Sequence, residues 1–350
     1  MLNSLEIRNY RNLKHLKIDK LGRVNLIVGK NNTGKSSVLE AVSIFGAKVE
    51  INTISNILDR RQENCLEDDG TDIMSFYIHV FLKNIFTNQN TDSIIHIGDD
   101  NHYVELALIG VKSDFEDILL EIKRENGETI KFSLNNGNYK LISGKEPFFR
   151  KQSEGDSCQY VRPDLQDLQV SSRINWANIS LNQGKEKLLI ESLRLLETSI
   201  ERFDFVNVRK NNPGLSIYSQ PTVRLKGGKI VNLRSMGDGI NRILTIILAM
   251  VNCENGYLLI DEFENGLHYS VQEKLWEIIF HLAERLNIQV FATTHSYDCI
   301  DAFSEVLNGG KYAKDSGVLI RLDNYEGNIE ATVYEANEIQ NTTRLHVDPR

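Results

Sequence analysis

The segment Gly29-Lys30-Asn31-Asn32-Thr33-Gly34-Lys35-Ser36 has the spacing G-x-x-x-x-G-K-[ST], which is typical of loops that bind nucleotide phosphates. Glycines allow a tight turn, so backbone N–H groups face the phosphates and the next helix adds its positive end. Lys35 is placed to reach the β- and γ-phosphates, and Ser36 to hold Mg²⁺. The alternative is a glycine-rich turn without nucleotide. The pattern predicts ATP binding by Gly29, Asn31, Asn32, Thr33, Gly34, Lys35, Ser36 and Ser37.

A second motif is an apolar run that ends in two acids, Tyr257-Leu258-Leu259-Ile260-Asp261-Glu262. Carboxylates at the edge of a buried sheet are costly unless a cation or ligand compensates them. In a protein with a phosphate-binding loop, Asp261 is the expected Mg²⁺ partner, held through water. Glu262 is then the expected general base for the attacking water. The alternative is that the two acids are simply the polar end of a strand.

Two further segments offer groups that suit phosphate. Ser235 and Gly237 lie in Arg234-Ser-Met-Gly-Asp-Gly-Ile-Asn-Arg242, just before an apolar helix, where a hydroxyl and backbone N–H groups favour an anion. A helix N-cap with flexible glycines explains the same residues equally well. His295 follows an apolar strand expected beside the Asp261 strand, so its side chain is predicted to reach a γ-phosphate; a structural histidine is the alternative.

Periodicity predicts the elements that position these groups. Strands are expected at 4–10 and 24–28, and the phosphate loop leads into a helix that begins at Ser36. Turns such as Asn126-Gly127 and Asn136-Gly137 favour an antiparallel lobe, with strands expected at 73–81, 94–97, 103–109, 118–123 and 129–134.

The last third of the chain predicts a different layout. A helix is expected at 184–203, because Leu189, Leu193, Leu196, Ile200 and Phe203 recur at spacings of four and three. Strand–helix alternation then predicts a largely parallel sheet with packed helices, with helices at 240–251 and 271–286 and strands at 257–260, 290–294, 318–322 and 330–334. Residues 144–182 give no clear pattern.

Composition and charge limit the classes of protein to which the chain can belong. The chain has 350 residues, 41% of them hydrophobic, and neither a signal peptide nor a membrane-spanning run is expected. The four cysteines are scattered, which favours reduced thiols in the cytoplasm. A net charge of −8 means that any contact with nucleic acid requires a local basic patch or a second protein.

In their order, these motifs resemble the ABC-type ATPases of the SMC, RecF and OLD group. Residues 5–12, Leu-Glu-Ile-Arg-Asn-Tyr-Arg-Asn, are similar to that group's first strand and turn, and Arg11 is thereby expected to contact nucleotide. Residues 261–268, Asp-Glu-Phe-Glu-Asn-Gly-Leu-His, closely resemble OLD-like ATPases. The resemblance covers 1–45 and 230–300 well, and the middle of the chain only by layout.

The resemblance implies that two copies dimerise head to tail around two ATP molecules. Ser235 and Gly237 of one copy would face the P-loop, the phosphate loop, of the other, and 265–268 would cross the interface as the D-loop. Two departures stand out. The segment Ser-Met-Gly-Asp-Gly replaces Leu-Ser-Gly-Gly-Gln, and no glutamine loop is evident, the candidates being Gln152, Gln159 and Gln166.

The predicted fold is α/β: an ABC-type P-loop ATPase with a mainly parallel sheet core, an N-terminal antiparallel β lobe and a helical subdomain. It is expected as one domain, with a nucleotide-binding core at 1–50 and 205–350, a strand-rich lobe at 51–170 and a helical segment at 171–204.

The leading functional hypothesis is a slow, Mg²⁺-dependent ATPase that forms a homodimer or higher homo-oligomer. It would act as a switch in nucleic-acid-directed or anti-phage defence, with a separate effector protein, possible contact with nucleic acid and no membrane association. About fifty-five residues follow His295, fewer than the Toprim nuclease domain of OLD nucleases, so no DNA cleavage by this chain alone is expected. The alternatives are a RecF- or SMC-like DNA-repair ATPase, an ABC transporter ATPase subunit and, least favoured, another P-loop enzyme such as a kinase.

Overall fold

The computed structural model of the protein describes residues 1–63, 82–110, 118–133, 140–144, 158–163, 165–209, 217–236 and 239–345. The chain divides into two compact units. Unit 1 comprises Met1–Lys151, Gly317–Glu335 and Pro349–Arg350, and unit 2 comprises Gln152–Ser316 and Ala336–Asp348. The predicted division into core, lobe and helical segment stays a prediction.

An antiparallel sheet makes up much of unit 1. Its strands are β1 (Leu5–Tyr10), β2 (Leu13–Ile18), β4 (Ile95–Gly98), β5 (Tyr103–Ile109), β6 (Leu119–Arg124), β7 (Thr129–Ser133) and β8 (Lys140–Ser143). They pair in the order β2-β1-β4-β5-β6-β7-β8, which confirms the predicted antiparallel lobe. Buried and half-buried side chains alternate along β5 and β6, as expected for a sheet with one partly solvated face. The strand predicted at 73–81 lies outside the described residues.

A second set of strands in unit 1 precedes the P-loop. The strand β3 (Val24–Gly29) is buried along its whole length, pairs in parallel with β15 (Gly317–Tyr325), and β15 pairs antiparallel with β16 (Asn328–Tyr334). A mainly apolar run such as Val-Asn-Leu-Ile-Val, in which Asn25 is also buried, is typical of a strand covered on both faces. Two helices, α1 (Lys35–Gly46) and α2 (Ile51–Arg60), belong to the same unit.

Unit 2 contains the strand that ends in the two acids. The strand β13 (Tyr257–Ile260) pairs in parallel with β9 (Cys158–Val161) on one side and β14 (Gln289–Thr293) on the other. Both partners place their carboxyl ends beside Asp261, so side chains from three strand ends meet there. The helices of unit 2 are α3 (Leu165–Ser180), α4 (Gln183–Arg194), α5 (Ile240–Asn252), α6 (Tyr269–Arg285), α7 (Tyr297–Asn308) and α8 (Ala336–Arg344).

The helix predicted at 184–203 is wrong in its second half. The helix α4 ends at Arg194, and β10 (Ile200–Arg209) pairs antiparallel with β11 (Ile217–Leu225), which pairs with β12 (Ile230–Asn232). A register shift in β10 separates Ile200 from Arg202, so Ile200 and Phe203 are both buried although they lie three residues apart in a strand. The apparent helical spacing of Ile200 and Phe203 was therefore accidental.

The observed architecture confirms the predicted fold class. Both units carry parallel strand pairs beside the motifs, and unit 1 adds the antiparallel sheet. Most side chains of α5 are buried, as its largely apolar sequence predicts. Within the described residues, no helix is long and apolar enough to cross a membrane.

Candidate active site

The P-loop of unit 1 connects the end of β3 to the start of α1. Gly29 has φ 145° and Gly34 has φ 87°, backbone conformations that favour glycine. A Cβ atom on Gly29 would lie 2.5 Å from the carbonyl oxygen of Leu322, and one on Gly34 would lie 2.8 Å from a methyl group of Leu13. Neither glycine can therefore accept a side chain without a shift of its neighbours.

The ammonium group of Lys35 is buried within this loop. Its Nζ donates hydrogen bonds to the carbonyl oxygens of Gly29 at 2.7 Å and Lys30 at 2.8 Å. The hydroxyl of Thr33 also donates to Lys30 O at 2.9 Å, so the loop closes on itself. A positive charge held at the concave side of a tight turn is what binding of a polyphosphate requires.

The start of α1 offers a further favourable feature for an anion. Its N-cap is Gly34, and no side chain caps the helix. A helix terminus of this kind presents backbone N–H groups and the positive end of the helix dipole. Ser36 is half-buried and Ser37 is buried, while Asn31 and Asn32 are exposed, and the amide of Asn12 reaches Asn32 O at 3.5 Å.

Arg11, predicted to contact nucleotide, lies in the turn between β1 and β2 and is paired inside unit 1. Its guanidinium contacts Glu40 of α1 at 2.9 Å and Glu63 at 2.8 Å, and its side chain is 7% exposed. Burial opposes the charge, but the hydrogen bond to Glu63 and the charge of Glu40 raise the pKa of Arg11 above its usual value. The role of Arg11 toward nucleotide stays a prediction.

The acidic turn of unit 2, Asp261–Glu262, follows β13 directly. The Asp261 carboxylate accepts a hydrogen bond from the hydroxyl of Thr293 at 2.6 Å and another from Tyr160 at 3.2 Å. Thr293 Oγ1 also accepts from the backbone N–H of Glu262 at 2.9 Å. The end of β14 thus positions the carboxylate of Asp261 and the backbone of Glu262.

The backbone at Glu262 adopts φ 49°, in the left-handed region, and its side chain is exposed. The Glu262 carboxylate accepts a hydrogen bond from the amide of Asn265 at 3.3 Å. The next residue, Phe263, is buried and stacks on Trp276 with ring centroids 4.1 Å apart. The buried aromatic pair anchors the turn and leaves the Glu262 carboxylate exposed; its role as general base stays a prediction.

His295 and Glu264 lie beside the same strand ends. The Glu264 carboxylate accepts hydrogen bonds from the Thr294 hydroxyl at 2.7 Å and from the backbone N–H of His295 at 2.7 Å. These bonds fix the main chain at His295, whose side chain is half-buried. The sequence interpretation named His295 but overlooked Glu264, although Glu264 belongs to the D-E-x-E-N-G-L-H stretch.

Ser235 and Gly237, which are predicted to face the P-loop of a second copy, precede α5 in the chain. Ser235 is exposed, and its hydroxyl donates to Asn232 O at 2.7 Å; Gly237 lies outside the described residues. At Gly239, a Cβ atom would lie 3.2 Å from the carbonyl oxygen of Gly266, so the start of α5 packs closely on the predicted D-loop at 265–268. Of the glutamine-loop candidates, Gln159 lies in β9 and accepts a hydrogen bond from Asn175 at 3.2 Å. Gln152 lies outside the described residues.

Arg242 is a residue of this site that sequence reasoning missed. It lies in the first turn of α5 and donates hydrogen bonds to the carbonyl oxygens of Asp261 at 2.7 Å and Glu262 at 3.2 Å. The available signal was a single arginine at the start of an otherwise apolar helix, since such a charge is rarely buried without a polar task.

A strand–P-loop–helix in unit 1 and an acid-tipped parallel strand in unit 2 are the two elements that define P-loop ATPases. The family model described as "AAA ATPase domain" matches residues 1–194 and 164–300, and the chain belongs to this family. The sequence-based prediction of a P-loop ATPase is thereby confirmed.

Several known proteins are similar to this chain. An "ATP/GTP phosphatase" of Helicobacter pylori is 25% identical over 96% of both chains. The DNA replication and repair protein RecF of Pseudoalteromonas atlantica is 26% identical over 53% of this chain and 52% of its own length. Among solved structures, the SMC head domain from Thermotoga maritima is 13% identical, with a TM-score of 0.48 over 95% of this chain and 99% of that one.

Proposed function

We propose that the protein binds ATP with Mg²⁺ and hydrolyses it slowly. The observation that carries the proposal is the P-loop geometry, with two closely packed glycines at positive φ and the buried ammonium of Lys35 at the start of an uncapped helix. This donor set suits an anion with several oxygens. The family match supports a nucleotide as that anion.

In this proposal the P-loop and the acidic turn have distinct tasks. Lys35 and the loop N–H groups bind the β- and γ-phosphates, and Ser36 and Asp261 hold Mg²⁺, since hydroxyl and carboxylate oxygens are the ligands that this ion prefers. Glu262 takes a proton from the attacking water, and His295 contacts the γ-phosphate. Bound Mg²⁺ supplies compensation for the negative charge of the phosphates.

We infer further that hydrolysis requires two copies of the chain. The exposed hydroxyl of Ser235 would serve the nucleotide on the partner's P-loop, as the resemblance to ABC-type ATPases implies. A monomer then holds only part of the electrostatic site, which makes its turnover slow. In such a dimer ATP holds the two copies together and sets the lifetime of the assembly.

Phosphate release by the purified protein tests the activity. We expect Mg²⁺-dependent ATP hydrolysis by the wild-type chain and a loss of at least about 10²-fold in Glu262→Gln, because the general base is removed. The matched control is Glu273→Gln, the same substitution on an exposed position of α6, which should behave like wild type. Equal turnover by Glu262→Gln and wild type would remove Glu262 as the base.

The cellular role that we propose is a cytoplasmic switch in nucleic-acid-directed or anti-phage defence, acting on a separate effector. Its support is the resemblance of residues 261–268 to OLD-like ATPases. Affinity purification from the native host with Glu262→Gln as bait, compared with Lys35→Ala, tests this role. We expect one effector, a nuclease or toxin, to bind the ATP-locked bait only. Equal recovery with both baits would contradict an ATP-controlled partner.

A second candidate function, RecF- or SMC-like action on DNA, is favoured by one observation. Residues 200–230 contain six Lys and Arg and two acidic residues, within a chain of net charge −8. Arg202 of β10 and Arg224 of β11 are directly paired across the sheet. The side chain of Arg202 is 62% exposed, and its guanidinium lies 3.7 Å from the Asp204 carboxylate. Like charges placed opposite each other are unfavourable unless an anion lies near them.

Binding of fluorescent duplex DNA over a range of salt concentrations tests the second candidate. If β10–β12 contact phosphates, Arg202→Ala with Arg224→Ala should weaken binding and reduce the dependence of affinity on salt by about one phosphate contact each. Lys274→Ala, an exposed lysine on α6, is the matched control. Unchanged binding in the double variant would reject this surface.

A further inference from the structure

The guanidinium of Arg242 lies inside unit 2, where it holds three chain segments together. The residue is 3% exposed. Its Nη1 donates to the carbonyl oxygen of Arg162, just after β9, and its Nη2 donates to the carbonyls of Asp261 and Glu262, just after β13. A planar group with several fixed donors is suited to binding several oxygens at once.

These bonds act on a part of the backbone that is not in a relaxed conformation. Glu262 has φ 49°, which is unfavourable for a residue with a side chain and persists only when surrounding contacts impose it. Its N–H donates to Thr293 Oγ1, and its carbonyl oxygen accepts from Arg242 and from the N–H of Asn265. The position of the Glu262 carboxylate therefore depends on contacts from β14 on one side and α5 on the other.

The desolvation of a buried guanidinium is unfavourable, so packing alone does not explain Arg242. Desolvation lowers the pKa of Arg242 to about 10, an effect that the charges of Asp261, Glu262 and Glu264 oppose. An apolar side chain of similar volume would avoid this penalty in the interior. Arg242 contacts the Asp261–Glu262 turn through backbone carbonyl oxygens, so it fixes the path of the backbone there.

The start of α5 also contacts the D-loop. The position of Gly239 lies against the backbone of Gly266 and the side chain of Leu267, with atoms 3.2 Å from an added Cβ. Arg242 lies one helical turn after Gly239 and only a few residues after Ser235. A displacement of this helix start would therefore be transmitted to the acidic turn through the same guanidinium.

We propose that Arg242 is a positioning residue, which fixes the Asp261–Glu262 turn for hydrolysis and couples it to the segment that contains Ser235. This inference rests on the proposed ATPase function. It assigns to Arg242 no contact with nucleotide, so its removal should affect the chemical step and leave nucleotide binding intact.

The test compares Arg242→Lys and Arg242→Met with wild type in ATP hydrolysis and in hydrogen exchange without nucleotide. We expect kcat to fall by about 10–100-fold in Arg242→Met, with less change in KM, because a misplaced catalytic group affects mainly the transition state. Arg242→Lys should recover part of the loss, since an ammonium can donate to some of the same carbonyls. Amides of residues 258–266 should exchange faster in Arg242→Met.

Asn252→Leu is the matched control, because Asn252 is also buried in α5 and donates to backbone carbonyls, those of Asn175 and Leu248, at the other end of the helix. It should lower stability without faster exchange at 258–266 and without a comparable loss of kcat. Equal losses in Asn252→Leu and Arg242→Met would overturn the inference, as would wild-type kcat in Arg242→Met. If wild type does not hydrolyse ATP, the proposed function fails, and the exchange comparison alone decides whether Arg242 fixes the turn.

Discussion

At the scale of single residues, hydroxyl groups determine where the acids of unit 2 are placed. Thr293 donates to Asp261 at 2.6 Å and accepts from the N–H of Glu262 at 2.9 Å, so one side chain orients a proposed metal ligand and the backbone of a proposed base. Tyr160 supplies the second bond to Asp261 from the neighbouring strand. Charge-assisted bonds of this kind are stronger than neutral ones.

Replacement of Thr293 by valine should therefore affect both stability and turnover. The side chain keeps its shape, but Asp261 loses a donor and the N–H of Glu262 loses its acceptor, at a cost of about 1–3 kcal/mol. We expect this loss in urea unfolding together with a lower kcat. Thr245→Val is the control, since Thr245 is buried and bonded to Ser172 on α3. The same fall in kcat in both variants would contradict a specific role.

Lys35→Ala should abolish measurable ATP binding. The buried ammonium is the charge that the P-loop directs toward the phosphates, and no other lysine of the loop is buried. Calorimetric titration with ATP and Mg²⁺ checks the loss. Lys30→Ala removes an exposed lysine from the same loop and should bind ATP nearly as wild type does. Retained affinity in Lys35→Ala would argue against the proposed site.

Residue types with a strict spacing were predictable, whereas residues that act through their position in the fold were not. The P-loop and the Asp261–Glu262 pair stand out in the sequence, because their chemistry requires particular residue types in a fixed order. Thr293 and Tyr160 belong to segments far from Asp261 in sequence, and only the parallel pairing of β9, β13 and β14 brings them to it.

At the scale of secondary structure, the shape of the P-loop depends on a strand from a distant part of the chain. The strand β15 pairs with β3 up to Leu322 and Gly29, and the carbonyl of Leu322 occupies the space beside that glycine. The loop conformation is therefore imposed by the sheet as well as by the glycines themselves.

Gly29→Ala should consequently damage both stability and nucleotide binding. The new methyl group would meet the Leu322 carbonyl at 2.5 Å, a contact that forces a backbone shift. Gly228→Ala is the control, because Gly228 also has positive φ but no atom lies within 4 Å of the added Cβ. It should cost only about 1–2 kcal/mol from backbone strain. Thermal unfolding and ATP titration distinguish the two variants, and similar effects in both would refute the steric explanation.

Elements with a clear period were predicted correctly, and those with mixed signals were missed. The strand at 257–260 and the helix starting near Ile240 have largely apolar sequences. The interpretation missed β2, because its sequence Leu-Lys-His-Leu-Lys-Ile buries only three positions. It also extended a helix into β10, because Ile200 and Phe203 of the strand follow the leucines of α4 at helical spacing.

At the scale of the whole molecule, the proposed dimer makes a prediction that a monomeric ATPase does not. A chain with Lys35→Ala and a chain with Ser235→Arg should each be inactive alone, since each variant damages both sites of its own dimer. Mixing them should restore activity, because a mixed dimer keeps one site with an intact P-loop and an intact Ser235. Phosphate release from the mixture measures the recovery. No recovery, with exchange of subunits shown by native mass spectrometry, would contradict sites shared between copies.

The pairing of β3 with β15 has a consequence for how the protein is made. The strand that carries the P-loop ends at Gly29, and its partner β15 begins only at Gly317, much later in synthesis. At about 5–20 residues per second, roughly 15–60 seconds of synthesis separate the two strands. During that interval β3 lacks its neighbour β15, and an apolar segment that lacks a strand partner is a target for chaperones. Nascent chains stalled before residue 317 should therefore remain chaperone-bound and unable to retain ATP.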